Sequence, residues 1–159
     1  MKTRNNNESG FTIIEVMIVL AIAALILVVV LVAIPQLQRN QRNSARQDVT
    51  SRVMTELSNY AGNNNGQYPT STNDLEDFET RYLSGVSYED PLTGENYELQ
   101  YDESSPSMET EDGPAEMGYN IGSECDGESV TSASAEGNRQ IALIVELEPG
   151  NVYFCVDNR

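Results

Sequence analysis

The sequence predicts an α+β protein: one long N-terminal helix, apolar in its first half and amphipathic in its second, packed under a small antiparallel sheet of three to four strands. Three observations carry this reading. From residue 11 to residue 34 only Thr12 and Glu15 are polar. From 36 to 61 the chain has no Gly or Pro and repeats its apolar residues at helical spacing. The last sixty residues instead hold short apolar runs separated by Gly, Pro, Asn and Asp, the punctuation of strands and turns.

A helix over residues 11–34 spans roughly 36 Å, enough to cross a hydrocarbon core of about 30 Å. Glu15 interrupts this segment near its start. An acidic side chain is costly in hydrocarbon, so it either has a partner or reaches back to the interface. Pro35 follows directly, and because it lacks an N–H and crowds the preceding turn, a kink or local opening is expected there.

Beyond Pro35, Ala45, Val49, Val53, Leu57, Tyr60 and Ala61 recur three and four apart and form an apolar stripe. Asp48 and Arg52 stand at i,i+4 on the wetter side. Arg39, Arg42 and Arg46 share a helical face just outside the apolar segment, where they meet anionic head groups, an acidic neighbour or solvent. Gly62 and the Asn63-Asn64-Asn65-Gly66 run that follows supply the left-handed residues that end a helix.

A short helix follows, with Asn73 as the expected N-cap, Glu76 three residues on, Leu75, Phe78 and Tyr82 on one face, and Gly85 at its end. The segment Asp90-Pro91-Leu92-Thr93-Gly94-Glu95-Asn96-Tyr97 turns into a first strand in which Tyr97, Leu99 and Tyr101 alternate with polar residues. Residues 118–121 give a short second strand, and 141–147 and 152–156 the two strongest. Pro149-Gly150 between those two favours a type II turn, which suits a tight hairpin poorly, so a longer or bulged connection is expected.

The chain has 159 residues, enough for one modest domain beside an anchor. Its net charge of -16 sets the surface against nucleic-acid phosphates. Histidine is absent, and no Gly-rich phosphate loop or nucleophile elbow occurs, so neither an enzyme nor a cofactor is indicated. Two oxygen-rich clusters, Glu109, Glu111, Asp112 and Gly113, and Glu124, Asp126, Gly127 and Glu128, raise calcium against simple solvation. Neither follows the D-x-[DN]-x-[DN]-G pattern, and no metal ligand is assigned. Cys125 and Cys155 lie too far apart for a C-x-x-C element; they form a disulfide in an exported domain or a pair of buried thiols in a reducing compartment.

The N-terminal order is specific. A polar leader carrying Lys2 and Arg4 ends at Gly10, and Phe11, Thr12 and Glu15 open the apolar run. A secretory signal has its small-residue cleavage site after the apolar stretch instead. This G-F-T-x-x-E arrangement resembles the processing site of type IV pilins and pseudopilins. The resemblance implies cleavage after Gly10 by a prepilin peptidase, N-methylation of Phe11, and assembly residues Glu15 and Thr12, Glu15 pairing with the Phe11 amine of a neighbouring subunit. It implies the pilin fold, divided into a leader (1–10), a transmembrane and assembly half-helix (11–35), an amphipathic half-helix (36–62) and a globular head (63–159). In that fold the residues after the helix form an αβ-loop, D-P-L-T-G-x-x-Y opens the sheet, and a Cys125–Cys155 bridge bounds the C-terminal region. The Gln- and Arg-rich helix, the D-P-L-T-G element and the cysteine-bearing last strand are similar to pilins of Gram-positive or small-genome bacterial lineages.

The implied function is a structural subunit that moves from the membrane into an extracellular filament serving adhesion, twitching motility or DNA uptake. Its implied partners are itself, other pilins and the pilus assembly machinery. A pseudopilin or minor pilin, or a non-polymerising membrane-anchored adhesin, is the alternative. The arginines after the apolar run outnumber the cations of the leader, which by the positive-inside rule places the head in the cytoplasm; the processing pattern requires the opposite orientation.

Overall fold

The computed structural model describes residues 10–106, 114–132 and 139–159. In chain order they form α1 (Ile13–Asn63), α2 (Thr72–Phe78) with a π-helical continuation (Glu79–Leu83), and six strands. The strands are β1 (Glu98–Tyr101), β2 (Glu116–Ile121), β3 (Ser123–Asp126), β4 (Ser129–Ser132), β5 (Ile141–Leu147) and β6 (Val152–Asp157). Two units are distinguished, Met1–Gln38 and Arg39–Arg159.

In the first unit the helix is assigned without a break through Pro35, which itself has no N–H to donate to the preceding turn. In the second, the amphipathic stripe lies where its spacing predicts. Val49, Val53, Leu57, Tyr60 and Ala61 are buried, Met54 joins them, and Ala45 stays half-exposed. They pack against Leu99, Met117, Tyr119, Leu143, Val145 and Leu147 of the sheet. Each large apolar side chain buried this way contributes roughly 1.5–3 kcal/mol, which holds the helix to the sheet. Arg52 does not pair with Asp48 but donates to the Ser87 carbonyl at 3.2 Å.

The helix runs through Gly62 and ends at Asn63. Asn65 (φ 57°) and Gly66 (φ 80°) take the left-handed conformation, Gly66 N–H donates to the Ala61 carbonyl at 2.7 Å, and the Asn64 amide donates to the Tyr60 carbonyl at 2.9 Å. The cap of α2 is Ser71, not Asn73. Ser71 has an extended backbone, and its Oγ accepts from Asp74 N–H at 3.2 Å and donates to the Asp74 carboxylate at 2.7 Å. Asn73 therefore falls inside the first turn. The face formed by Leu75, Phe78 and Tyr82 is as expected; Phe78 is buried, and Tyr60, Phe78 and Tyr82 form an aromatic cluster with centroids 5.3 to 5.8 Å apart.

The main sheet has the order β1-β2-β5-β6. β2–β5 and β5–β6 are antiparallel, but β1–β2 is parallel, with Leu99 opposite Met117 and Tyr101 opposite Tyr119. The wholly antiparallel expectation is corrected at this pair. Residues 102–115 are long enough for a crossover, which a parallel neighbour needs and a hairpin does not. β5 is central, and Ile141 through Val145 are buried on both faces.

A second sheet pairs β3 with β4, a hairpin that contains the oxygen-rich cluster at 124–128. Its two-residue turn has Gly127 at φ 64° in the first central position, as a type II′ hairpin requires. It packs on β5 and β6. The β5–β6 connection spans residues 148–151 and is longer than a tight hairpin. It is built on a cis Glu148–Pro149 bond and closed by Gly150 N–H to the Leu147 carbonyl at 2.8 Å, not on a type II turn at Pro149-Gly150.

Candidate processing and assembly segment

Gly10 and Phe11 precede the first turn of α1, and Phe11 is 89% exposed. A Cβ added at Gly10 would meet nothing within 4 Å, and its φ is not in the left-handed range. Neither packing nor backbone conformation within the described residues requires a glycine there.

Thr12 and Glu15 form a capping box at the start of the helix. The Glu15 carboxylate accepts from Thr12 N–H at 2.9 Å and from the Thr12 hydroxyl at 2.7 Å, both on Oε2, and the Thr12 hydroxyl lies 3.4 Å from Glu15 N–H. This satisfies donors at a helix end that have no intrahelical partner. The sequence signal was available, since Thr followed three residues later by Glu before an apolar run is the capping-box pattern. The second carboxylate oxygen, Oε1, takes no hydrogen bond from a described residue.

From Phe11 to Leu37 the apolar side chains are exposed, including Ile13 (82%), Leu31 (72%) and Leu37 (58%). Mean hydropathy reaches 3.5 over an 18-residue window, none of it buried within the chain. The segment is long and apolar enough to cross a membrane.

Residues 5–31 match the family described as the prokaryotic N-terminal methylation motif. The chain carries the type IV pilin and pseudopilin signal. No curated protein and no solved structure matches it. The matched stretch holds residues 5–9, the Gly10–Phe11 junction, the capping box and most of the apolar segment. The matched signal supports a pilin-like precursor, the long apolar helix fits membrane anchoring, and the signal implies processing by a prepilin peptidase and pilus assembly.

In the second unit the arginines after the apolar segment turn to acids of the same chain. Arg42 grips the Glu148 carboxylate with Nε and Nη2, both at 2.6 Å. Arg46 is fully buried; it donates through Nε to Asp90 at 2.7 Å and reaches Glu148 through Nη1 at 3.3 Å. Arg39, more than half exposed, stands 3.9 Å from Glu148. The Asn43 amide bonds both backbone groups of Glu148 at 2.9 Å. The i, i+3/i+4 spacing of the arginines thus serves to converge on one loop.

Asp90 is the hub of the D-P-L-T-G element. Its carboxylate accepts from Arg46, from Tyr97 Oη at 2.7 Å, and from the N–H groups of Leu92 at 2.8 Å and Thr93 at 3.2 Å. Gly94 N–H closes the turn on the Asp90 carbonyl at 2.8 Å, with Gly94 at φ 72°. Burial pushes the Asp90 carboxyl up, but hydrogen bonds from Arg46, Tyr97 and Leu92 outweigh it and hold it below the usual carboxylate range. For Arg46, burial works against the charge and the bond to Asp90 reverses it, raising the guanidinium. Glu148 is held low chiefly by its hydrogen bonds from Arg42. Burial, reinforced by the bond to Asp90, raises the Tyr97 phenol.

Cys125 in β3 and Cys155 in β6 form a disulfide, and Asp157 Oδ2 accepts from Cys125 N–H at 2.9 Å. The bridge ties the β3–β4 hairpin to the edge of the main sheet. Of the two oxygen-rich clusters, 109–113 lies outside the described residues. In the other, Glu124 pairs with Arg159 at 3.3 Å, and no group of three or more metal-ligating residues occurs among the described residues.

Proposed function

We propose that this chain is a structural subunit of a type IV pilus filament, cleaved after Gly10, methylated at Phe11 and polymerised through its apolar half-helix, and that the filament serves adhesion, twitching motility or DNA uptake. The observation that carries the reading is the methylation motif at residues 5–31, with its carboxylate at Glu15. Gly10 supports it, because a glycine not needed by this chain's own packing suits the close approach of a peptidase to the backbone.

Glu15 acts in two stages. In the single subunit its Oε2 caps the helix through Thr12. In the filament its Oε1 is available to the Phe11 amine of a neighbour, a group with a reference pKa near 8 that is mostly cationic at neutral pH. Pairing two charges starved of water is favoured over leaving either alone, which fixes the register of the helices.

The test is mass spectrometry of sheared surface filaments together with Glu15→Leu. The expected result is a mature terminus at methylated Phe11 and loss of filaments in the variant. A surface form that retains residues 1–10, or filaments of normal number and length in Glu15→Leu, would sink the proposal.

A further inference from the structure

A cavity of about 500 Å³ opens in the head between the C-terminal end of α1, the chain entering α2 and the edge of the main sheet. Tyr60, Tyr68 and Tyr101 supply ring surface, and Gln67, Thr70 and Asp74 supply polar groups. The size falls within the range of small-ligand sites.

The polar groups of the lining divide into two sets. Some are committed to the fold: the Tyr68 hydroxyl contacts the Asn158 amide at 3.0 Å, Asp74 accepts from the Ser71 hydroxyl at 2.7 Å, and the Asn64 amide is held by the Tyr60 carbonyl at 2.9 Å. The hydroxyls of Tyr60, Tyr101 and Thr70 and the amide of Gln67 make no hydrogen bond with another described residue. Tyr60 is the telling case. It is only 7% exposed, its ring packed against Phe78 and Tyr82, yet its hydroxyl is not among the buried unpartnered oxygens and stays open to solvent at the cavity. Tyr101 is 44% exposed and rests on Tyr119 at 5.6 Å, whose hydroxyl is anchored to the Pro69 carbonyl at 2.6 Å. It is a supported, open aromatic face.

We propose that this cavity is a binding subsite for a neutral saccharide. A pyranose offers an apolar C–H face for Tyr101 and hydroxyls that both donate and accept, matching the uncommitted phenols, threonine hydroxyl and amide. A phosphate or nucleotide is disfavoured, because among the described lining residues the charged one is Asp74, with the Arg139 guanidinium set behind Gly66. A purely apolar ligand would strand the same polar groups without partners. The subsite stands whether or not the chain polymerises.

The test applies the full-length chain, in a zwitterionic detergent that carries no sugar, to a panel of immobilised neutral and acidic oligosaccharides, with free methyl glycosides as competitors. The expected result is retention on neutral sugars that competitors release. Binding falls at least tenfold in Tyr101→Ala and in Gln67→Ala, and is unchanged in Leu92→Ala, an exposed site outside the cavity. Should Tyr101→Ala lower the melting temperature, Gln67→Ala, on an exposed residue, decides alone. Absence of retention on neutral sugars, retention confined to sialylated or sulfated sugars, or variants that bind like the parent would overturn the proposal.

Discussion

Replacing Arg46 by Met leaves the Asp90 carboxylate 1% exposed with its cationic partner gone. Tyr97, Leu92 and Thr93 still donate to it, but they do not neutralise its charge. Breaking a buried pair from one side costs about 3–5 kcal/mol, against a total domain stability of roughly 5–15 kcal/mol. With a urea slope of about 1–3 kcal/mol/M, the midpoint of the Arg39–Arg159 head should fall by roughly 2 M at pH 7. In the parent, Asp90 is held below its ordinary value, so its contribution is complete above that value and is lost as pH falls through the lowered one. In Arg46→Met burial dominates and the carboxyl moves up, so the folded variant takes up a proton before the unfolded chain does. Acidification from pH 7 toward 4.5 then favours the variant's folded state, and the gap to the parent narrows. Urea unfolding followed by circular dichroism at both pH values is the assay. A loss under about 1 kcal/mol at pH 7, or a gap that stays constant on acidification, would refute the assignment of Arg46 and Asp90 as a coupled buried pair.

Three further outcomes follow from the same head. Cys125→Ser opens a loop with a sequence separation of 30 and should lower stability by about 3.5 kcal/mol on the chain-entropy estimate, with reductant reproducing the effect in the parent; melting with and without dithiothreitol checks it. Gly118→Ala drives a methyl into the Glu103 backbone, with the carbonyl carbon 2.9 Å away, and crowds Ile144 at 3.2 Å. It should lose about 1–3 kcal/mol or fail to express, and a variant as stable as the parent would mean the 102–106 segment does not lie on β2. Glu148→Gln keeps the shape but removes the charge that Arg42 grips at 2.6 Å and should cost about 1.5–3 kcal/mol, read by the same urea titration.

What the sequence made legible was local. Residues 141–147 alternate nothing and are apolar almost throughout, which marks a strand buried on both faces, and β5 has those bounds. The α1 stripe, the two strongest strands and the N-terminal motif are likewise patterns within a single run. The β3–β4 hairpin escaped because its strands are serine-rich and acidic, with Val130 the main apolar residue, so the period-2 signal was absent. The parallel β1–β2 pair escaped because strand direction depends on how a long connection is routed, which residue pattern does not encode. The arginine clamp is non-local in the strict sense: Arg46 meets Asp90 across 44 residues and Glu148 across 102. Nothing within either stretch says that three helical arginines will be satisfied from the same subunit. The Thr12–Glu15 capping box is local too, a Thr followed three residues later by a Glu ahead of an apolar run.

Because Arg39, Arg42 and Arg46 turn inward to Glu148 and Asp90, and Arg81 and Arg159 lean on acids of their own chain, the head keeps little positive charge to offer another molecule. Two such heads brought side by side present anion to anion. At physiological ionic strength the Debye length of about 8 Å confines that repulsion to close approach, and in dilute buffer it reaches much further. Any cohesion between copies then falls to the apolar N-terminal segment, and salt concentration sets how closely two heads can approach.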